Sequence, residues 1–202
     1  MDTKRRGRPR AYDADQALDR ALGTFWDQGF AATSLDELSA ATGMNRPSLY
    51  GAFGDKQALY MAAFERYRAA AMAGLAQAMD DRALREGLAR VYGAALSLYL
   101  SGDAGARGCF MIGTAATEAV GRPPVRAALA AALADIDAAF AARFRRAVET
   151  GELPAGRDPA RLARMAAAVL HSMAVRARAG ATRDDLEPFA ADAIDLICGS
   201  AA

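Results

Sequence analysis

Arg46, Ser48 and Tyr50 stand at alternate positions of the stretch "NRPSLYGAF" (residues 45–53), in which Leu49 and Phe53 lie four apart. Residues four apart share one face of a helix, so Leu49 and Phe53 can bury while Arg46, Pro47, Ser48 and Tyr50 point outward. The outward group is a set of hydrogen-bond donors. A guanidinium at Arg46 can take the two acceptors of a guanine edge, and the Ser48 and Tyr50 hydroxyls suit bases or phosphates. Lys56 follows just inside the next helix, where its ammonium and that helix's free N–H groups suit a phosphate. This chemistry is recognition of double-stranded DNA. An ordinary helical hairpin with a solvated face has the same spacing, so the pattern by itself leaves both readings open.

The charge distribution adds a second group. The chain carries 25 Lys and Arg against 24 Asp and Glu, a net charge of +1, which by itself argues for no polyanionic partner. Yet Lys4, Arg5, Arg6, Arg8 and Arg10 crowd the first ten residues against the single acid Asp2. "KRRGRPR" resembles the arginine-glycine-arginine-proline core of AT-hook peptides. That resemblance implies an extended arm laying Arg6 and Arg8 into a narrow, electronegative minor groove.

A third group surrounds Cys109 in "RGCFMIGTAATEA". Cys109 follows Arg107 and Gly108 at the expected start of a helix, where the positive field of the free N–H groups favours a thiolate. The competing reading is a small buried hydrophobe beside Phe110 and Met111. Phe110, Met111, Met165 and Met173 read first as core and His171 as a packed or interface residue; the second reading makes them, with Cys109, the candidate lining of an apolar effector pocket. Cys198 has no comparable setting. Two cysteines and one histidine make neither a disulfide framework nor a metal site, and no cofactor motif or paired acid and base is present.

These side chains need a scaffold, and the periodicity says which kind. At 202 residues, 53% hydrophobic and 24% charged, the chain can bury a sizeable core, and nearly every segment reads with helical period. The expected fold class is all-α. The N-terminus lacks an apolar run long enough for a signal peptide or a membrane span, so a cytoplasmic location and no membrane partner are expected. A first helix opens at Asp13, with Gln16 completing a capping-box pattern, and places Ala17, Leu18, Ala21, Leu22 and Phe25 on one face before stopping near Gly29. Ser34 and Glu37 form a second box, for a helix through Leu35 and Leu38 that ends at Thr42 and Gly43. Asn45 caps the next, with Pro47 in its first turn.

Asp55 then caps a long helix carrying Leu59, Ala63, Phe64 and Tyr67, and Leu84, Leu88, Val91, Ala95 and Tyr99 make another stripe. "SGDAGARG" breaks the pattern, "CFMIGTAATEAV" reads as a short helix, and "GRPP" starts a run with Val125, Leu129, Leu133, Ile136, Phe140 and Phe144 inward. After "TGELPAGRDP" come two last helices, one burying Leu162, Met165, Val169 and Met173, the other Leu186, Phe189, Ala193 and either Leu196 or Ile197.

Two short helices joined at a glycine turn, behind a longer one, make a helix-turn-helix unit whose second helix lies in the major groove. From Asp13 to Tyr60 the sequence closely resembles the N-terminal domain of TetR-family transcriptional regulators, almost continuously through "ALGTFWDQGFAATSLDELSAATGMNRPSLYGAFGDKQALY". The resemblance puts Thr33, Arg46, Ser48, Tyr50 and Lys56 at positions that commonly touch DNA, with Gly43 in the turn. It departs at Gly51 and Ala52, where many members carry larger pairs. The later part is similar to the family's ligand-binding half by helix layout and by pieces such as "GELPAGRDPARLA".

The organisation so implied is a basic arm (1–12), a DNA-binding domain (13–56) and a ligand-binding and dimerisation domain (57–202). The expected function is a non-enzymatic regulator: a homodimer on an inverted-repeat, double-stranded DNA operator, acting as a repressor released by a small-molecule effector. The "GC" that begins the middle helix resembles the branch of the family responding to electrophiles or oxidants, so a thiol-based repressor acting through Cys109 is the alternative. An all-helical carrier or enzyme is a remote one.

Overall fold

The computed structural model describes residues 13–80, 82–102 and 105–199, and among them every regular element is helical. They divide into two compact units, one running to Ala63 and the other from Phe64 onward.

In the first unit, α1 (Ala14–Ala32) begins where the Asp13 carboxylate accepts the N–H groups of Asp15 and Gln16. Gly29 does break the helix, as its position suggests: its φ of 80° and ψ of 170° leave the helical region, a conformation suited to glycine. The chain nevertheless resumes a helical turn to Ala32, and this turn carries Phe30 into the core. α2 (Leu35–Thr42) starts with a reciprocal box in which Ser34 Oγ accepts the Glu37 N–H at 3.1 Å and Glu37 accepts the Ser34 N–H at 2.6 Å. It ends on left-handed Gly43, φ 69°. α3 (Arg46–Phe53) follows at once, the Asn45 side chain accepting the Ser48 N–H at 2.9 Å. Asp55 accepts the Ala58 N–H and so caps α4 (Lys56–Met79), which begins in this unit and continues into the next.

Leu38 and Leu49 are buried, as are Ala17, Ala21 and Phe25; Trp26, Phe30, Met44, Leu59, Tyr60 and Ala63 join them in the core. Phe25 meets Tyr60 edge-on at 5.1 Å, and Phe30 meets the same ring at 5.2 Å. These aromatic contacts tie the end of α1 to the start of α4, while α2 packs on α1 and α3 on α2.

The second unit contains α5 (Leu84–Tyr99), a π-helical turn (Met111–Ala115) leading into the single turn of α6 (Ala116–Glu118), then α7 (Pro123–Glu149), α8 (Pro159–Arg178) and α9 (Arg183–Cys198). α7 packs along α8, and α9 lies on α5 and α8. The α8 stripe differs from the one expected. The buried residues are Ala163, Ala166, Ala167, Leu170, Met173, Ala174 and Ala177, while Met165 is 61% exposed. Small alanine side chains let α8 approach its neighbours closely, and the larger Met165, two positions past Ala163, is turned outward. On α9 it is Ile197 that buries, and Leu196 is exposed. The C-terminal carbonyls of α9 are taken up by Arg157, which donates to Leu196 and Ile197, and by Arg85, which donates to Gly199. Among the described residues no helix is long and apolar enough to cross a membrane.

Candidate nucleic-acid interface and effector groove

The outer face of α3 presents Arg46, Pro47 and Tyr50 to solvent, with Ser48 half-buried beside them. This follows from local sequence: Leu49 is the residue of α3 that is fully buried, and it fixes which side of the short helix faces away. Gly51 is also exposed, and an added Cβ there would meet nothing within 4 Å, so the helix surface is low at this position.

Arg46 is not loose. Its Nε and Nη2 both donate to one oxygen of Asp36, at 3.0 and 2.6 Å. Lys56 is half-buried with its ammonium 4.3 Å from the centre of the Phe30 ring, a cation-π contact that sets the direction of the charge. Beside it the Glu37 carboxyl is held below its ordinary value, first by the Ser34 backbone N–H, then by the Ser34 hydroxyl, with a smaller contribution from Lys56.

Thr33 is placed differently from the other expected contacts. It is 1% exposed, and its hydroxyl donates to the Gly29 carbonyl at 2.6 Å. The hydroxyl's proton is thus committed one turn back along the chain, and this buried side chain offers no donor to a ligand. Arg6 and Arg8 lie outside the described residues.

In the second unit the six residues expected to line one pocket part company. Phe110, Met111 and Met173 are core, Phe110 packing on Tyr67 with ring centres 5.6 Å apart. Met165 is on the outer surface. His171 is half-buried, and burial lowers its pKa below the ordinary histidine value against the opposing pull of Asp137. Cys109 lines a groove of about 360 Å³ bounded by Ile112, Gly113, Ala174, Val175, Arg178 and Ala179.

Two glycines let this groove form between the π-helical turn and α8. A Cβ on Gly108, which has φ +65°, would stand 2.7 Å from the Ala174 carbonyl oxygen, and one on Gly113 would stand 2.7 Å from Arg178 Nη1. Arg178 also donates to the Arg107 carbonyl. Gly113 and Arg178 stand in no motif of the sequence, although a glycine five residues after Gly108 inside an apolar helix signals close approach.

The Cys109 thiol is 3% exposed and accepts a hydrogen bond from the Tyr67 hydroxyl at 3.3 Å. Burial pushes its pKa up; the Tyr67 hydroxyl, the N–H groups of Ile112 and Met111 and the Tyr99 hydroxyl pull it down by less. Donors expected at a helix start do reach the sulfur, and desolvation outweighs them. Among the described residues no group of three or more His, Cys, Asp or Glu is placed to hold a metal ion.

Comparison with known proteins accounts for both halves. Residues 17–63 match the family described as bacterial regulatory proteins, tetR family, and residues 86–192 match the tetracyclin repressor-like C-terminal domain. The HTH-type transcriptional repressor ComR of Escherichia coli (strain K12) is 32% identical over 195 residues, 96% of this chain and 92% of that protein. The HTH-type transcriptional repressor BdcR of the same organism is 36% identical over 107 residues, 52% of this chain and 54% of that protein. Among solved structures, a cysteine mutant of the TetR family regulator CifR, complexed with 26-base-pair double-strand operator DNA, is 34% identical, with a TM-score of 0.81 over 93% of this chain and 98% of that one.

Proposed function

The chain belongs to the tetR family of bacterial regulatory proteins and is a DNA-binding transcriptional regulator, not an enzyme; from that premise we propose a repressor that leaves an inverted-repeat operator when a small molecule occupies the Cys109 groove. The observation that carries the reading is the outer face of α3, where Arg46 and Tyr50 are exposed on a helix anchored from behind by Leu49. The relatives named repressors, and the one held on operator DNA, support the same sign and target. The working form is a homodimer: Met165 on α8 and Leu196 on α9 are large exposed hydrophobic residues that a second copy covers. Twofold protein symmetry then calls for matching half-sites. Activity on DNA implies a cytoplasmic location.

The effector class follows from the groove. Its walls are largely aliphatic, from Ile112, Ala174, Val175 and Ala179, with the Arg178 guanidinium as the polar group. An apolar molecule with one hydrogen-bond acceptor fits this lining. Tyr67, bonded to the Cys109 sulfur, is on α4, the helix that starts in the DNA-binding unit, so an occupant that displaces the thiol acts on that helix.

Selection of bound fragments from random duplex DNA tests the function and returns the operator together. An enriched inverted repeat bound by a dimer is expected; no enrichment, or a monomer in sedimentation with and without the selected DNA, overturns the reading.

The thiol alternative has one observation in its favour, since Cys109 lines the groove that an electrophile would enter. Its raised pKa works against a ready thiolate. Burial raises the pKa of both thiols and Cys109 is the more deeply buried, so alkylation of native Cys109 is expected to be slow at neutral pH, slower than at half-buried Cys198, and to rise as pH increases. Timed labelling followed by peptide mass analysis checks this. Cys109→Ser is expected to keep both operator binding and release by the effector. Fast labelling of Cys109 near neutrality, with loss of release in Cys109→Ser, makes the thiol the switch instead.

A further inference from the structure

We propose that Asp36 is a positioning residue for base readout, holding the Arg46 guanidinium in the orientation in which it meets a guanine. The inference rests on the assignment of Arg46 to base recognition and adds to it a second residue that the resemblance does not supply.

The geometry is specific about which donors are used. A guanidinium has five N–H bonds, one on Nε and two on each Nη. Asp36 Oδ1 takes the Nε–H and one Nη2–H, at 3.0 and 2.6 Å. What remains is the other Nη2–H together with both Nη1–H groups, so the Nη1–Nη2 edge is intact. That edge can meet the O6 and N7 acceptors of guanine side by side. The carboxylate therefore engages Arg46 from behind and leaves its reading edge free.

The placement of the two residues agrees. Asp36 is in the first turn of α2 and Arg46 is the first residue of α3, ten positions on, so the pair bridges the turn that joins the two helices. With Arg46 54% and Asp36 77% exposed, the ion pair does little for the fold, because solvent screens it. Its effect is to restrict a long side chain that is otherwise free to rotate, and a donor fork ordered before binding loses less freedom when it binds. A carboxylate on a face turned toward phosphates opposes DNA of every sequence. Asp36 thus lowers affinity in general and raises discrimination at one base pair.

The test measures binding of wild type, Asp36→Ala, Arg46→Ala and the double variant to the selected operator, to operators with each base pair replaced in turn, and to a random duplex. Thermal unfolding of each variant confirms that the fold is intact. Asp36→Ala is expected to lose about tenfold of the preference at the base pair whose preference Arg46→Ala also loses, since the freed arginine keeps its charge but not its fixed bidentate geometry. Random duplex is expected to bind as tightly as to wild type, or more tightly. In the Arg46→Ala background the Asp36 change should alter no base preference. If Asp36→Ala lowers stability enough to obscure binding, Asp36→Asn carries the same prediction at a smaller size. Unchanged preference in the Asp36 variants, with Arg46→Ala relaxed, reduces the pair to a surface contact and overturns the proposal. Unchanged preference in Arg46→Ala itself overturns both the proposal and the base-reading assignment beneath it.

Discussion

Phe25→Ala is expected to destabilise the DNA-binding unit by roughly 3–5 kcal/mol, the usual range for truncating a buried phenylalanine, and to remove operator binding as the unit unfolds. Phe25 is fully buried, stacks on Phe30 at 6.2 Å and meets Tyr60 edge-on. Its loss opens a cavity where α1 meets the start of α4 and strips both rings of a partner. At roughly 0.05–0.15 kcal/mol per residue, a unit of this size has only a few kcal/mol to lose. Hydrogen exchange on the full chain reads the effect by region. Amides of α1 to α3 should lose most of their protection, and those of α7 and α8, packed on each other in the second unit, should lose little. Protection across α1 to α3 within about 1 kcal/mol of wild type would show that the site repacks around the missing ring.

The same region shows what the sequence does and does not make legible. Local signals decided the element starts: Asp13, Ser34, Asn45 and Asp55 each cap where their spacing to the next apolar run places them, because a cap is a contact over two or three residues. Leu49 was readable as the anchor of α3 for the same reason. What was not legible depends on long-range neighbours. Phe30 buries because the chain turns helical again past Gly29, and Thr33 buries with its hydroxyl on the Gly29 carbonyl one turn back. Met165 carries the right spacing for a core position, yet the alanine stripe beside it brings α8 close to its neighbours and sends Met165 out. The Cys109 groove was half visible: the cysteine stood out by type, whereas Arg178 reaches it from 69 positions away in sequence and stands where only Gly113 leaves room. Nothing in the sequence pattern pairs Asp36 with Arg46, since both read as solvated charges.

Arg46→Ala is expected to lose roughly 1–3 kcal/mol of affinity for the selected operator, about 5- to 150-fold, and to relax preference at one base pair. The size follows from what is removed. A bidentate guanidinium contact is two charge-assisted hydrogen bonds whose donors match a guanine edge and no other base. Removing it also leaves Asp36 on the protein surface without its cation, and that uncompensated charge faces the phosphates. Binding to random duplex therefore weakens too, although by less than binding to the operator. Lys56→Ala provides the contrast. Its ammonium stands over Phe30 at the start of α4, where it suits a phosphate, so its loss should weaken all sequences alike and lower the salt slope of log K by about 1. Titrations over a salt series, with operator and random duplex for both variants, separate the two roles. A change in base preference for Lys56→Ala, or a uniform loss with unchanged preference for Arg46→Ala, would exchange their assignments, and α3 would then be gripping the backbone while another element reads the bases.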